Sequence, residues 1–200
     1  MAKVKTPRWG WALTGSGHFF KECLRMVGEL DEVDLFVSKA ASEVVRMYRQ
    51  EFKLPKTARI FRDTTASAAP VGLFYYGVYH TLIVGPATSN TVAKCVVGIS
   101  DTLVTNVFAQ AGKCQVPAIV FACDTAPELE TEAPKGMVKV YPRNIDLQNT
   151  ERLKSFESTL VVETLDELET ALTRRKRELH GVGRLCYHRR VTPERQNIDR

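Results

Sequence analysis

Short apolar runs alternate along this chain with stretches whose apolar residues recur at helical spacing. Trp9 to Leu13, Asp34 to Val37, Leu82 to Val84 and Val116 to Ala122 are the runs. The run Thr81-Leu82-Ile83-Val84 shows no apolar-polar alternation, which suits a strand buried on both faces of a parallel sheet. The first run is followed by Phe19, Phe20, Cys23, Val27 and Leu30 at helical spacing; the second by residues 40–49, anchored by Val44, Val45 and Tyr48. Val92, Cys95, Val96 and Ile99 follow the third, then Leu103, Val104, Val107, Phe108 and Ala111. Strands alternating with helices predict an α/β fold: a doubly wound, mostly parallel sheet with right-handed crossovers.

The remaining pattern is less regular. Ala58 to Phe61 reads as a short edge strand, and residues 63–80 resist assignment. Gly98 should end one helix, Ser100 or Asp101 cap the next, and Gly112 follow its end. Thr125 to Lys135, rich in Pro and Glu, reads as a loop, and Met137 to Tyr141 as a last central or edge strand. A helix over 146–156, a strand at Leu160 to Val162 and a capped helix from Thr164 to about Glu178 complete the pattern.

Ligands of open α/β sheets bind outside the carboxyl ends of the strands. The loops there are Gly15-Ser16-Gly17, Ser38-Lys39, Pro86-Ala87-Thr88-Ser89-Asn90-Thr91 and Cys123-Asp124. The first lacks the Gly-Lys-Ser/Thr of a P-loop, and Phe20 replaces the last glycine of a dinucleotide fingerprint. Ser38-Lys39 stands where an NAD site wants an acid, which disfavours NAD and leaves the extra phosphate of NADP or the single phosphate of a mononucleotide. Small residues at a helix start expose backbone N–H groups to such an anion. Ser38, Thr88, Ser89 and Ser100 also read as helix caps. Asn90 sits in a first helical turn already supplied with caps, which favours ligand contact. The hydroxyls and carboxamide of Pro86 to Thr91 suit a planar ligand with many hydrogen bonds. His18, at a helix start, faces the crevice; His80, just before a buried strand, reads as structural. Asp124 could contact a ligand or cap the turn that follows it.

Charge adds one feature. The chain carries 28 Lys/Arg and 23 Asp/Glu. Residues 174–200 hold nine of the former and three of the latter, a net +6, against −1 for the rest. A nucleic-acid reading would rest on this tail alone and is disfavoured. Five scattered cysteines without a CxxC pair indicate neither a disulfide framework nor a zinc site, and no metal is expected. The absence of a long apolar segment argues against a membrane span, and the default location is cytoplasmic.

Thr14-Gly15-Ser16-Gly17, Ser38 and Pro86-Ala87-Thr88-Ser89-Asn90-Thr91-Val92-Ala93-Lys94, continuing as Gly98-Ile99-Ser100-Asp101-Thr102-Leu103, resemble the flavoprotein family that includes phosphopantothenoylcysteine decarboxylase and the UbiX enzymes. The resemblance covers roughly residues 8–125. It implies a flavodoxin-like or Rossmann-like three-layer domain over residues 1–178, followed by a basic tail over 179–200. It also implies FMN and a trimer-based homo-oligomer. FMN contacts would fall on Gly15, Ser16, Gly17, His18, Ser38, Lys39, Pro86 to Thr91, Ser100, Asp101, Cys123 and Asp124. The decarboxylases carry a histidine near the place of Gly72 and a Pro-x-Met-Asn motif where Phe121-Ala122-Cys123-Asp124 stands. The Ser-Gly-His opening and the Cys-Asp pair are similar instead to the archaeoflavoprotein-like branch with its dihydromethanopterin reductases. The activity implied is reduction of a pterin-like substrate, dihydromethanopterin, by reduced FMN, with the electron donor and the catalytic residues left open. A decarboxylase, a flavin prenyltransferase or an electron-transfer flavoprotein is the alternative.

Overall fold

The computed structural model describes residues 7–48, 53–64, 68–133 and 136–182. Strands β1 (Arg8–Leu13), β2 (Val33–Val37), β3 (Arg59–Arg62) and β4 (Tyr79–Ala87) alternate with helices α1 (Phe20–Gly28), α2 (Lys39–Met47) and α3 (Ala68–Gly72). Helices α4 (Ser89–Val97) and α5 (Leu103–Lys113) lead to β5 (Ala118–Ala122). The short strands β6 (Leu129–Ala133) and β7 (Gly136–Val140) precede helix α6 (Asn144–Lys154), strand β8 (Thr159–Val162) and helix α7 (Leu165–Val182).

Six strands form one parallel sheet in the order β3-β2-β1-β4-β5-β8, flanked by helices. The chain winds outward from β1 to β3, returns, and winds the other way from β4. Strand order therefore reverses between β1 and β4, where such sheets bind ligands. The apolar runs are central because β1, β2 and β5 are buried along nearly their whole length. Trp11 is fully buried in β1 and satisfies its indole by donating to the carbonyl of Gly85 at 2.6 Å.

Far from that edge, Asp34 is buried in β2 and accepts hydrogen bonds from Arg8, Arg59 and the Tyr79 hydroxyl. Burial pushes its carboxyl up, but these three partners outweigh burial and hold it below its ordinary value. The same cluster raises the Tyr79 hydroxyl, chiefly by burial and then by the Asp34 charge.

Several expectations change. Residues 63–80 contain α3 and the start of β4, so His80 lies within β4, where its ring packs edge-on against Trp9 at 4.6 Å. Pro86 and Ala87 belong to the strand rather than to a loop. The cap of α5 is Thr102, paired reciprocally with Thr105, and not Ser100 or Asp101. Gly112 lies inside α5, and the chain leaves the helix through Gln115 at φ 54°. The expected loop Thr125–Lys135 contains β6, and Met137–Tyr141 contributes β7, which among the described residues pairs with β6 alone in an antiparallel hairpin. Strand β7 is exposed almost throughout.

The first compact unit ends at Leu168 and the second runs from Glu169 to Arg200. Within the second, Glu178 pairs with Arg174 at 3.6 Å and Arg175 at 2.9 Å. Helix α7 continues to Val182, past the expected start of the tail; residues 183–200, which hold most of it, lie outside the described residues. No described helix is long and apolar enough to cross a membrane.

Candidate functional site

A cavity of about 420 Å³ opens at the carboxyl edge where strand order reverses. Thr14 and Gly15 line it from the end of β1, and Ser38 to Ala40 from the start of α2. Thr88, Asn90 and Thr91 line it from the start of α4, and Thr102 and Thr105 from the start of α5. Three helix N-termini thus meet at one cavity, each bringing partial positive charge and backbone N–H groups.

The termini are held in place by their caps. Ser38 accepts the N–H of Ala41 at 3.0 Å, and Thr88 accepts that of Thr91 at 3.3 Å. Asp63 accepts the N–H of Leu103 at 3.2 Å, which ties the end of β3 to α5. Thr14 binds β1 to β4 across the switch point. Its hydroxyl donates to the Pro86 carbonyl at 2.5 Å and accepts the N–H of Thr88 at 3.2 Å.

Gly15 is required by close approach. A Cβ there would stand 2.5 Å from the Cβ of Ala40, so β1's loop and α2 meet with no room for a methyl group. At Gly17 a Cβ would meet the Tyr48 hydroxyl at 2.5 Å. That hydroxyl donates to the Glu132 carbonyl at 3.2 Å, and Glu132 also pairs with Lys21 at 2.6 Å. These contacts fasten the β6–β7 hairpin over the start of α1.

Among the cavity residues, Asn90 is exposed and its carboxamide bonds to no other described residue. Lys39 is exposed as well, while Lys94 is engaged with Asp101 at 2.8 Å. The arrangement supplies N–H donors, hydroxyls, one uncommitted carboxamide and two ammonium groups. Two carboxylates also line it, Asp63 accepting the Leu103 N–H and Asp101 paired with Lys94, and the free donors fit a phosphorylated ligand held by hydrogen bonds. Among the described residues no cluster could hold a metal ion.

The other candidates sit differently. Ser100 lines a second cavity, of about 250 Å³, between α4, α5 and residues 156–159. Pro86 and Ala87 are buried and serve the edge through backbone atoms. Cys123 is buried, and burial pushes its thiol up to about 12 although the Ser16 hydroxyl bonds to it. Ser89 donates its N–H to the Asp124 carboxylate at 3.0 Å, so Asp124 caps α4 from the end of β5. Ser16 also donates to the carbonyl of His18 at 3.2 Å. His18 is half-buried on the β5 side of this edge, with its ring centroid 3.7 Å from that of Phe19. Burial lowers its pKa, partly offset by the charges of Asp124, Glu22 and Glu132.

Thr14, Asp63, Lys94, Thr102 and Thr105 also line the cavity but were not among the expected contacts. Thr14, Lys94 and Thr102 belong to the segments that carry the family resemblance, which is the signal that marks them. Asp63 follows an exposed edge strand and carried no signal.

Comparison with other proteins places the fold. Residues 2–178 match the family described as Flavoprotein. The chain is 40% identical over 141 residues to the dihydromethanopterin reductase (acceptor) of Methanosarcina mazei, covering 64% of this chain. It spans only 59% of that relative's length. It is similar to Burkholderia xenovorans DmrB, a structure solved in complex with FMN and described as a cubic protein cage for redox transfer. There the identity is 50% and the TM-score 0.80, covering 88% of this chain and 99% of that one. The phenylacrylic acid decarboxylase of Aquifex aeolicus shares the fold at a TM-score of 0.60 and 22% identity, over 87% of this chain and 96% of that one. A family match of this length, on a parallel sheet that opens its crevice between β1 and β4, makes the chain a member of the Flavoprotein family.

Proposed function

We propose that this chain binds FMN at the β1–β4 switch point and reduces a dihydropterin, dihydromethanopterin in the first instance, within a homo-oligomer. The observation that carries the reading is the convergence of the α2, α4 and α5 N-termini on one hydroxyl-lined cavity. Its donors match a phosphate and a ribityl chain, and the chain resembles a protein crystallised with FMN over nearly its full length.

In this reading the first turns of α2 and α4 hold the phosphate, and Lys39 adds charge at the mouth. Thr14, Ser38 and Thr88 keep those turns in position. Asn90 offers both a donor and an acceptor to the ligand. When bound and reduced, FMN supplies the hydride. The protein's part is to orient the acceptor, exclude water and manage the accompanying proton. The Met-Asn motif of the decarboxylases is absent, with Cys123-Asp124 in its place, and this favours reduction over decarboxylation.

The test begins with a visible spectrum of purified protein supplied with FMN. The chain should take up FMN and show a flavin spectrum. Anaerobically reduced protein should then be reoxidised by dihydromethanopterin, with the tetrahydro product recovered. Reoxidation by a protein acceptor but not by the pterin would overturn the reductase reading in favour of an electron carrier. A protein that takes up no FMN would overturn both parts.

A further inference from the structure

We infer that His18 is the proton donor of this reduction, delivering the proton that the pterin nitrogen takes up; the inference rests on the reductase reading above. Reduction of a dihydropterin carbon–nitrogen double bond adds a hydride to carbon and a proton to nitrogen. The hydride comes from the reduced flavin, which is left oxidised, and its electron pair forms the new C–H bond. The π pair moves to nitrogen, which takes a proton from the His18 imidazolium. That leaves a neutral imidazole, which is reprotonated by water.

The two halves of the carboxyl edge differ in chemistry, and this points to His18. The half at α2, α4 and α5 offers N–H groups and hydroxyls, suited to an anion. The half at the end of β5 gathers His18, Phe19, Phe121, Cys123 and Asp124, with Phe19 and Phe121 ring centroids 5.2 Å apart. This half holds the aromatic rings and the histidine, while the other holds Lys39, Asp63, Lys94 and Asp101, with Asp101 paired to Lys94 and Asp63 accepting the Leu103 N–H.

Three groups of the β5 half could move a proton, and two are committed. The Cys123 thiol is buried and holds its proton up to about pH 12. The Asp124 carboxylate is occupied by the Ser89 N–H. His18 remains, and its ring nitrogens have no hydrogen-bond partner among the described residues. Its backbone is fixed by the Ser16 bond to its carbonyl and by Phe19, a non-glycine residue at φ 60°. The charged and titratable groups that face it are Glu22 on α1, Asp124 after β5 and Glu132 on β6, the last paired with Lys21. These carboxylates favour the imidazolium while burial opposes it, so the ring titrates somewhat below its ordinary range and gives up its proton readily.

The experiment mixes anaerobically reduced holo-protein with dihydromethanopterin and follows flavin reoxidation across the histidine pH range. In the unsubstituted protein the rate should fall as pH rises through the lowered imidazole pKa. His18→Gln and His18→Asn should each be roughly 100-fold slower with the pterin and flat in pH. Both should retain FMN and be reoxidised normally by ferricyanide, which takes electrons without consuming a proton. Variants that keep the pterin rate and its pH dependence overturn the inference. So do variants that lose FMN or slow equally with ferricyanide, since His18 would then hold the cofactor rather than move a proton. If the unsubstituted protein is reoxidised by ferricyanide but never by the pterin, the reductase reading fails first and this inference with it.

Discussion

Asp34 shows how much one buried charge can decide. Its side chain is inaccessible to solvent, and Arg8, Arg59 and Tyr79 surround it. Replacing it with asparagine leaves two guanidinium groups without their carboxylate. Breaking a buried ion pair in this way costs about 3–5 kcal/mol, with the half-exposed Arg59 placing this case at the lower end. Urea unfolding of Asp34→Asn should register that loss at neutral pH. The sign with pH follows from the lowered carboxyl. Asp34 stabilises the fold fully above the ordinary carboxylate range, and the contribution is lost as pH falls through the lower folded value. The stability gap between Asp34→Asn and the unsubstituted protein should therefore close on acidification. Little of this was visible beforehand: Asp34 reads as a strand residue, and its partners come from β1, β3 and β4, brought beside it only by the sheet.

At the scale of elements, the crevice depends on how closely the β1 loop approaches α2. Ala40 lies in the first turn of α2 and has no rotamer to move, so Gly15→Ala must displace the helix terminus. That overpacking should cost about 1–3 kcal/mol of stability. A terminus that loses about 1.4 kcal/mol of its contact with the phosphate weakens FMN about tenfold. Flavin fluorescence titration should report that loss for Gly15→Ala and none for Gly72→Ala, where a Cβ meets nothing within 4 Å. The glycine itself was conspicuous in the sequence; its reason was not, because Ala40 is a distant small residue of no evident chemistry. The helix caps divide in the same way. Ser38 and Thr88 immediately precede helical runs and were legible as caps. Asp63 and Asp124 cap helices far along the chain, and no local pattern encodes such a pairing.

At the scale of the whole molecule, the exposed apolar side chains argue for association. Tyr75 and Tyr76 follow α3 and are 67% and 82% exposed; Met137 and Val138 on β7, and Tyr141 after it, are exposed as well. Large apolar groups left in water mark interaction surfaces more often than chance. Light scattering of the purified protein should give a mass several times that of one chain, and a monomer at working concentration would remove the homo-oligomer from the proposed function. The sequence by itself determined the alternation of strand and helix, the parallel sheet and the segments at Gly15, Ser38-Lys39 and Thr88 to Thr91 that line the cavity. Those features are written in local periodicity and in small residues at strand ends, which a single segment suffices to encode. Tertiary structure decided the place of β6 and β7 outside the sheet, the buried Asp34 cluster, the close contact of Gly15 with Ala40 and the position of His18 beside Asp124 and Glu132. Each of these depends on residues from separate elements meeting in space, and their meeting is fixed by strand order rather than by any neighbour along the chain.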